Sequence, residues 1–309
     1  MAVVFPKVEP AQSEGQPEGL AQSLSSALHR LDWLTVAPFA AAAALLAALA
    51  WPVLRFWNYE YTKPESYYGH ASLIPLIAAL MLWHGRDALR AVPKAPAPSA
   101  LILLLPALAL LVFAVKTQAE ALESTGLLLT VWGSVWLVLG PRFVRAAAFP
   151  LAFLWLMAPL PGPVLNDSTL HVQMLSTTLA NELLHLMTFG TTLTGNVIQM
   201  ENYSLFVDVP CSGFKLLLAL LTFSAAFAYL VDGKPARRCL LFAFSLPLSL
   251  LVNSVRIALI GVVGECVGAS AAHVFHDWSG LITLVLGFTA LFGLAKGLGC
   301  RTFAGWAIF

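Results

Sequence analysis

Apolar residues come in long runs along most of the chain, separated by short polar breaks. Runs of about the length a helix needs to cross a bilayer, roughly 20 residues, stand near 35–54, 69–85, 100–117, 123–140, 146–161, 213–231, 239–263 and 279–299. They predict an all-α membrane protein, a multipass bundle of about eight transmembrane helices. The fifth run is short and ends in "APLPGP", where proline stops a helix. No internal repeat relates the runs to one another.

Two stretches break this pattern. The first thirty-odd residues are polar, rich in Pro, Gln, Glu and Ser. They lack the charged start and short apolar core of a signal peptide. Residues 1–33 are therefore expected to be a disordered cytoplasmic leader, with the membrane domain over 34–309 and its first helix an uncleaved anchor.

The second stretch, 162–212, is long for a loop within a bundle. Its first part, "NDSTLHVQMLSTTLANELLHLM", opens on a potential N-cap, Asn166 or Asp167. Leu170, Met174, Leu175, Leu179, Leu183, Leu186 and Met187 follow near helical spacing. The segment is too polar to span, and predicts an amphipathic helix in or near the outer interface. The next part, "TTLTGNVIQMENYSLFVDV", is rich in β-formers, with turn signals at Gly195-Asn196 and Glu201-Asn202. It predicts a small β-hairpin before helix six.

Composition agrees with a membrane setting. Of 309 residues, 59% are hydrophobic and 11% charged, against about 25% charge in soluble domains. A net charge of +1 carries no global nucleic-acid signal, and the lipid bilayer is the expected partner. With the N-terminus inside, twelve of the seventeen Lys and Arg fall in cytoplasmic segments, among them Arg86, Arg90, Arg142, Arg145, Lys234, Arg237 and Arg238. The other five, Arg55, Lys63, Lys116, Lys215 and Arg256, fall on the outer side or in outer helix ends. This positive-inside bias predicts an inner-membrane protein with both termini cytoplasmic and 162–212 outside.

Candidate chemistry gathers on that outer face. Cys211, in "VDVPCSGFKLLL", is expected at the start of helix six. A cysteine at a helix N-terminus beside a cation has a depressed pKa, and the thiolate is the nucleophile. Ser212 and Gly213 are small enough to admit a peptide backbone, and first-turn N–H groups can face an oxyanion. A packed thiol and a disulfide to Cys266 are the alternatives. Cys239 and Cys300 fall near the cytoplasmic ends and read as structural. Arg256 lies inside the apolar run "PLSLLVNSVRIALIGVVG", at a cost of about 2.5–3.5 kcal/mol on insertion scales. Its side chain either snorkels to headgroups or serves a site. Asn253, three residues earlier on the same side, can hold the guanidinium or carry its own hydrogen bond. His273 and His276 lie in "AAHVFHDWSG", read as the outer loop into helix eight, with Asp277 adjacent. The plain alternative is an interfacial histidine beside the belt residue Trp278.

A Cys, a His and an Arg at one face suit acyl transfer. Cys211 would attack a peptide carbonyl. His276, or His273, would take the thiol proton and return one to the leaving amine. Arg256 would stabilise the oxyanion or orient the peptide. No metal-ligand spacing is present and no cofactor is required. The rival classes are a transporter binding an anionic substrate at Arg256 and a non-catalytic scaffold of an envelope polysaccharide system. The lack of repeat halves, and polar residues gathered at one face rather than the midplane, weigh against transport.

At these residues the chain resembles the exosortase/archaeosortase family. The matching stretches are "CSGF" at 211–214, "NSVRIALIG" at 253–261, "HDWSG" at 276–280 and "YYGHASLIPLIAALMLWHGR" at 67–86. The resemblance covers roughly residues 50–299. It implies a membrane cysteine protease or transpeptidase acting through a thioester. Its substrates would be exported proteins bearing a C-terminal signal: a short motif such as Pro-Glu-Pro, a membrane helix and a basic tail. The acyl group would pass to water or to an amine, in a setting often linked to exopolysaccharide biosynthesis. The family's Cys, Arg and His map to Cys211, Arg256 and His276, the last because it stands four residues before Gly280. The chain departs from the pattern at "GHA" (69–71), where His-Gly is more usual, and at Lys215.

Overall fold

The computed structural model describes residues 33–300, 302–303 and 306–307. The leader expected over 1–33 lies, but for Trp33, outside them. Contacts divide the chain between Trp51 and Pro52. That boundary falls inside helix α1 (Trp33–Thr62), and the fold below is that of the unit from Pro52 onward.

Helices stand at all eight expected places, but not at equal length. After α1 come a short 3-10 turn (Ala71–Leu73) and α2 (Ile74–His84). Then follow α3 (Arg86–Ala91), α4 (Leu101–Thr117), α5 (Glu120–Leu139), α6 (Pro141–Ala146) and α7 (Ala148–Phe153). A 3-10 turn, Leu154–Met157, leads to α8 (Gly162–Leu186). The last three helices are α9 (Phe214–Leu230), α10 (Pro235–Val267) and α11 (Ala269–Gly297). Among the described residues, five helices are long and apolar enough to cross a membrane, or six if the bent pair 148–157 and 162–186 is one span. The remaining expected spans are short helices. Run 69–85 loses its first residues to a turn. Run 146–161 is helical for about 15 Å at 1.5 Å per residue, then breaks at "APLPGP" and bends by 85°.

Small residues let helices touch. A Cβ on Gly126 of α5 would lie 2.8 Å from the Leu111 Cα of α4, and one on Gly133 would lie 3.0 Å from the Leu104 Cβ. This backbone-to-backbone approach suits helices in lipid, where packing replaces the hydrophobic drive. Trp57 Nε1 donates to Ser124 Oγ at 2.8 Å, tying α1 to α5. Tyr61 donates to the Met157 carbonyl at 2.6 Å, and the Leu160 N–H donates to Tyr68 Oη at 2.9 Å. The segment after α1 thus clasps the chain where α7 ends.

α8 is amphipathic as expected, with its faces placed as lipid demands. Thr169, Gln173, Ser176, Thr177 and Asn181 are buried. Leu170, Leu175, Leu179 and Leu186 are exposed, an open apolar side that an interfacial helix gives to acyl chains. The expected hairpin is a three-stranded antiparallel meander: β1 (Thr192–Thr194), β2 (Val197–Gln199) and β3 (Ser204–Phe206). Gly195 makes the first turn with φ +61°. The second turn is fastened to α10, because the Glu265 carboxylate accepts from the Asn202 N–H at 3.0 Å and from its Nδ2 at 2.8 Å. That anchor adds the third strand.

α8, the sheet and the C-terminal half of α10 share a core of Ala180, Leu184, Ile198, Leu205, Val207 and Ile257. Tyr203 lies flat on Gly264, where a Cβ would come within 2.3 Å of its ring. The expected outer loop before residue 279 is a correction. α10 reverses into α11 through Gly268 alone, at φ +112°, so His273 and His276 lie within α11. Only glycine takes that conformation without strain, and helix resumes at once in Ala269-Ser270-Ala271-Ala272.

Gly264→Ala should lower stability by about 1–3 kcal/mol, the usual range for overpacking, read as a lower Tm of the purified protein in detergent. Gly293→Ala, with open space around it, should leave Tm unchanged or slightly raised. Equal Tm for the two variants would remove Tyr203 as the reason for Gly264.

Candidate active site

Cys211 is the last residue of a 3-10 turn, Val209–Cys211. The strand before it is held at one atom: Gln173 Nε2 of α8 and Asn196 Nδ2 both donate to the Val207 carbonyl. Asp208 then caps the turn, its Oδ1 accepting from the Val209 N–H at 2.7 Å, and proline follows in the first turn, where its missing N–H costs nothing. Gly213, at φ +82°, swings the chain into α9. The helix therefore begins at Phe214, and Cys211 sits in the turn before it rather than at its first residue. Ser212 is buried and its Oγ accepts the Phe214 N–H at 3.2 Å. That first-turn donor is occupied in this state.

α10 supplies the support. Asn253 Nδ2 donates to the Cys211 carbonyl at 3.1 Å. A Cβ on Gly213 would come within 2.6 Å of the Asn253 Cγ, so glycine is required by the contact as well as by φ. Asn253 thus makes a hydrogen bond of its own, one of its two expected roles, rather than holding the guanidinium. Arg256, one turn further, reaches α11 instead: Nε donates to Ser279 Oγ at 2.8 Å and Nη2 to the His276 carbonyl at 3.2 Å. Ser279 Oγ also donates to that carbonyl at 2.8 Å. Arg256 is thus bound to the helical turn that carries His276, about 18 Å of helix from Gly268 at ~1.5 Å per residue.

The sulfur and the imidazole meet. Cys211 Sγ and His276 Nε2 are hydrogen-bond partners, and His276 Nδ1 lies 3.3 Å from Asp277 Oδ1. His273 stands one turn earlier on the exposed side, its ring nearly parallel to that of His276 with centroids 6.4 Å apart. Cys211 and Cys266 are both free thiols, Cys211 buried and Cys266 exposed, so the disulfide alternative falls away.

A cavity of about 600 Å³ opens beside the pair. His276, Asp277 and Arg256 line it with Gly213, Asn253 and Gly280. Glu65, His70 and Lys215 complete its polar wall. His70 was visible in the sequence as part of an early motif, and Lys215 as a departure from one. Ser279 and Glu65 carried no signal of their own.

The expected depression of the thiol pKa is reversed. Burial comes first and pushes the Cys211 thiol above the ordinary cysteine value. The Arg256 charge pulls it back, while Asp208 and Glu65 add to the rise. Burial therefore disfavours the ionised form of this thiol, which is hydrogen-bonded to an imidazole.

Among known families, the model described as Transmembrane exosortase (Exosortase_EpsH) matches residues 57–293. The match spans well over half the chain and takes in Cys211, Asn253, Arg256, His276 and Ser279. No curated protein and no solved structure matches. This membrane protein, with its apolar helices around a Cys–His pair, belongs to the transmembrane exosortase family.

Proposed function

We propose that this protein is a cysteine protease or transpeptidase of the inner membrane that cleaves the C-terminal sorting signal of exported proteins. The signal class, a Pro-Glu-Pro-like motif followed by a membrane helix and a basic tail, follows from the family resemblance, as does a link to exopolysaccharide or envelope biosynthesis. The observation that carries the reading is the contact of Cys211 Sγ with His276 Nε2 at the wall of a peptide-sized cavity.

In this reaction the Cys211 sulfur attacks the scissile carbonyl while His276 Nε2 takes the thiol proton. Because burial disfavours a resting thiolate, proton transfer accompanies S–C bond formation. Arg256 Nη1 has no partner among the described residues, so its two N–H groups remain for the oxyanion or a neighbouring carbonyl. His276 then protonates the leaving amine, the C–N bond breaks and a thioester remains on Cys211. Water or an amine acceptor attacks it, His276 takes that proton, and the thiol is restored.

Further features support a membrane-borne peptide. A second cavity of about 690 Å³ lies along α9 and α11, lined by Phe223, Phe227, Phe288 and Leu291. These residues follow Ala219 and Leu284 of the first cavity by successive turns. The result is an apolar trough for the helical part of the signal. Arg86, Leu230 and Phe303 mark its far end. α10 begins at that end, so Lys234, Arg237 and Arg238 lie away from the site, which favours a cytoplasmic far end and an outer active site. A transporter reading fares worse, since two of the Arg256 donors are committed to α11 beside a paired Cys211 and His276.

Co-expression with a reporter carrying a Pro-Glu-Pro motif, membrane helix and basic tail should give a size shift. Cys211→Ala should abolish the shift, and His276→Ala should slow it by about 10²–10⁴-fold. His273→Ala should leave it intact. Full processing by Cys211→Ala would sink the enzyme reading.

The pH dependence has a definite sign. The thiol is raised, so alkylation of Cys211 by a neutral reagent should titrate with a midpoint above the ~8.5 of a free cysteine. Arg256→Ala removes the lowering charge and should move the midpoint higher still. A midpoint below that of free cysteine would instead mean a preformed thiolate–imidazolium pair.

A further inference from the structure

Asn253 joins the nucleophile turn to the cavity, and only half of its amide is used. The side chain is 1% exposed and lines the cavity beside Gly213. Its Nδ2 is committed to the Cys211 carbonyl, while its Oδ1 is buried with no partner among the described residues. A buried acceptor left unpaired lowers stability, so its presence asks for a reason.

The amide cannot escape by turning. A flip would set Oδ1 against the Cys211 carbonyl oxygen and forfeit the one bond it makes. The side chain packs closely over Gly213, where an added Cβ would lie 2.5 Å from Nδ2. Arg256, the neighbouring cation, sends Nε and Nη2 to Ser279 and the His276 carbonyl and makes no bond to Asn253. The acceptor is therefore held in place, buried and without a partner among the described residues, on the side chain that also binds the Cys211 carbonyl. An aliphatic residue of similar size would pack there without the orphan. What it could not do is receive a donor that arrives with the substrate.

Resting on the acyl-transfer reading of Cys211, we infer that Asn253 Oδ1 accepts a backbone N–H of the bound peptide. One amide then ties the main chain of the nucleophile, through Nδ2, to the main chain of the substrate, through Oδ1. The ligand chemistry is a neutral peptide N–H, independent of side-chain sequence. Such a contact sets the position of the scissile carbonyl relative to Sγ, and reacting groups misplaced by about 1 Å can lose 10²-fold in rate.

The test uses the purified full-length protein and a chloroacetyl-capped tripeptide amide. Cys211 displaces chloride from this probe, forming an S–C bond and releasing a proton. Each analogue replaces one peptide N–H by an ester oxygen, and alkylation rates are normalised to that of iodoacetamide. In the wild type one analogue should react more slowly, by up to about 10-fold, the size of one hydrogen bond. In Asn253→Ala that analogue and the parent should react alike, whereas Asn253→Asp, which keeps an acceptor, should retain the difference. A penalty that persists in Asn253→Ala would mean that another acceptor, or an ordered water, serves the peptide, and would overturn the inference. So would a wild type indifferent to every ester, a result that does not depend on any variant folding. Alkylation needs no peptide cleavage, so failure here is separable from failure of the reporter to be processed.

Discussion

The site hangs on the antiparallel contact of α10 and α11, made by a charged group inside an apolar helix. Arg256 is costly in a bilayer unless its donors are satisfied. Here Ser279 Oγ and the His276 carbonyl satisfy two of them. The same bonds brace the helical turn that presents His276. One turn earlier on α10, Asn253 holds the Cys211 carbonyl. Thus α10 bears both halves of the pair: the imidazole is steadied through Arg256, the thiol through Asn253. The reversal at Gly268 sets the register, since any longer loop would let α11 slide against α10.

The cap of α8 and the meander serves this arrangement from the other side. Its polar face is turned inward, where Gln173 meets the Val207 carbonyl just before the Cys211 turn. Leu170, Leu175, Leu179 and Leu186 of α8 are left outside. In water that would be an inverted helix, but beside acyl chains it is the stable orientation. Gly261 and Gly264 let Met200 and Tyr203 close on α10, so the chain arriving at Cys211 is anchored on a rigid helix rather than on a free loop.

Much of this was legible in the chain. The eight apolar runs all carry helix, and the turn at Gly195-Asn196 falls where glycine and asparagine predict it. The joining of Cys211 and His276 follows from counting helices between them. What the chain hid was of two kinds. Helix lengths depend on local breaks: Gly268 ends a helix without adding a loop, so α11 starts ten residues earlier than hydropathy suggested, and "APLPGP" halves another. Partner choice depends on contacts between distant residues. Asn253 and Arg256 share a helix face in sequence, yet tertiary packing sends one to Cys211 and the other to Ser279. The serine in "HDWSG" gives no hint of receiving a guanidinium.

The acidity of the thiol shows how two sound local rules can lose to a third. A nearby helix start and a nearby cation both favour thiolate, and the Arg256 charge does lower the thiol pKa here. Burial opposes it and is the larger effect, with Asp208 and Glu65 adding to it. The acidic cap that shapes the turn therefore works against ionising the cysteine the turn presents. In the proposed reaction this is an advantage. A buried neutral thiol is a poor target for stray electrophiles, and a peptide filling the cavity would displace water and raise the thiol further. The imidazole must then take the proton only as the S–C bond forms. Reactivity would depend on a substrate whose carbonyl lies in line with Sγ, which makes peptide positioning, rather than thiol acidity, the quantity this site controls.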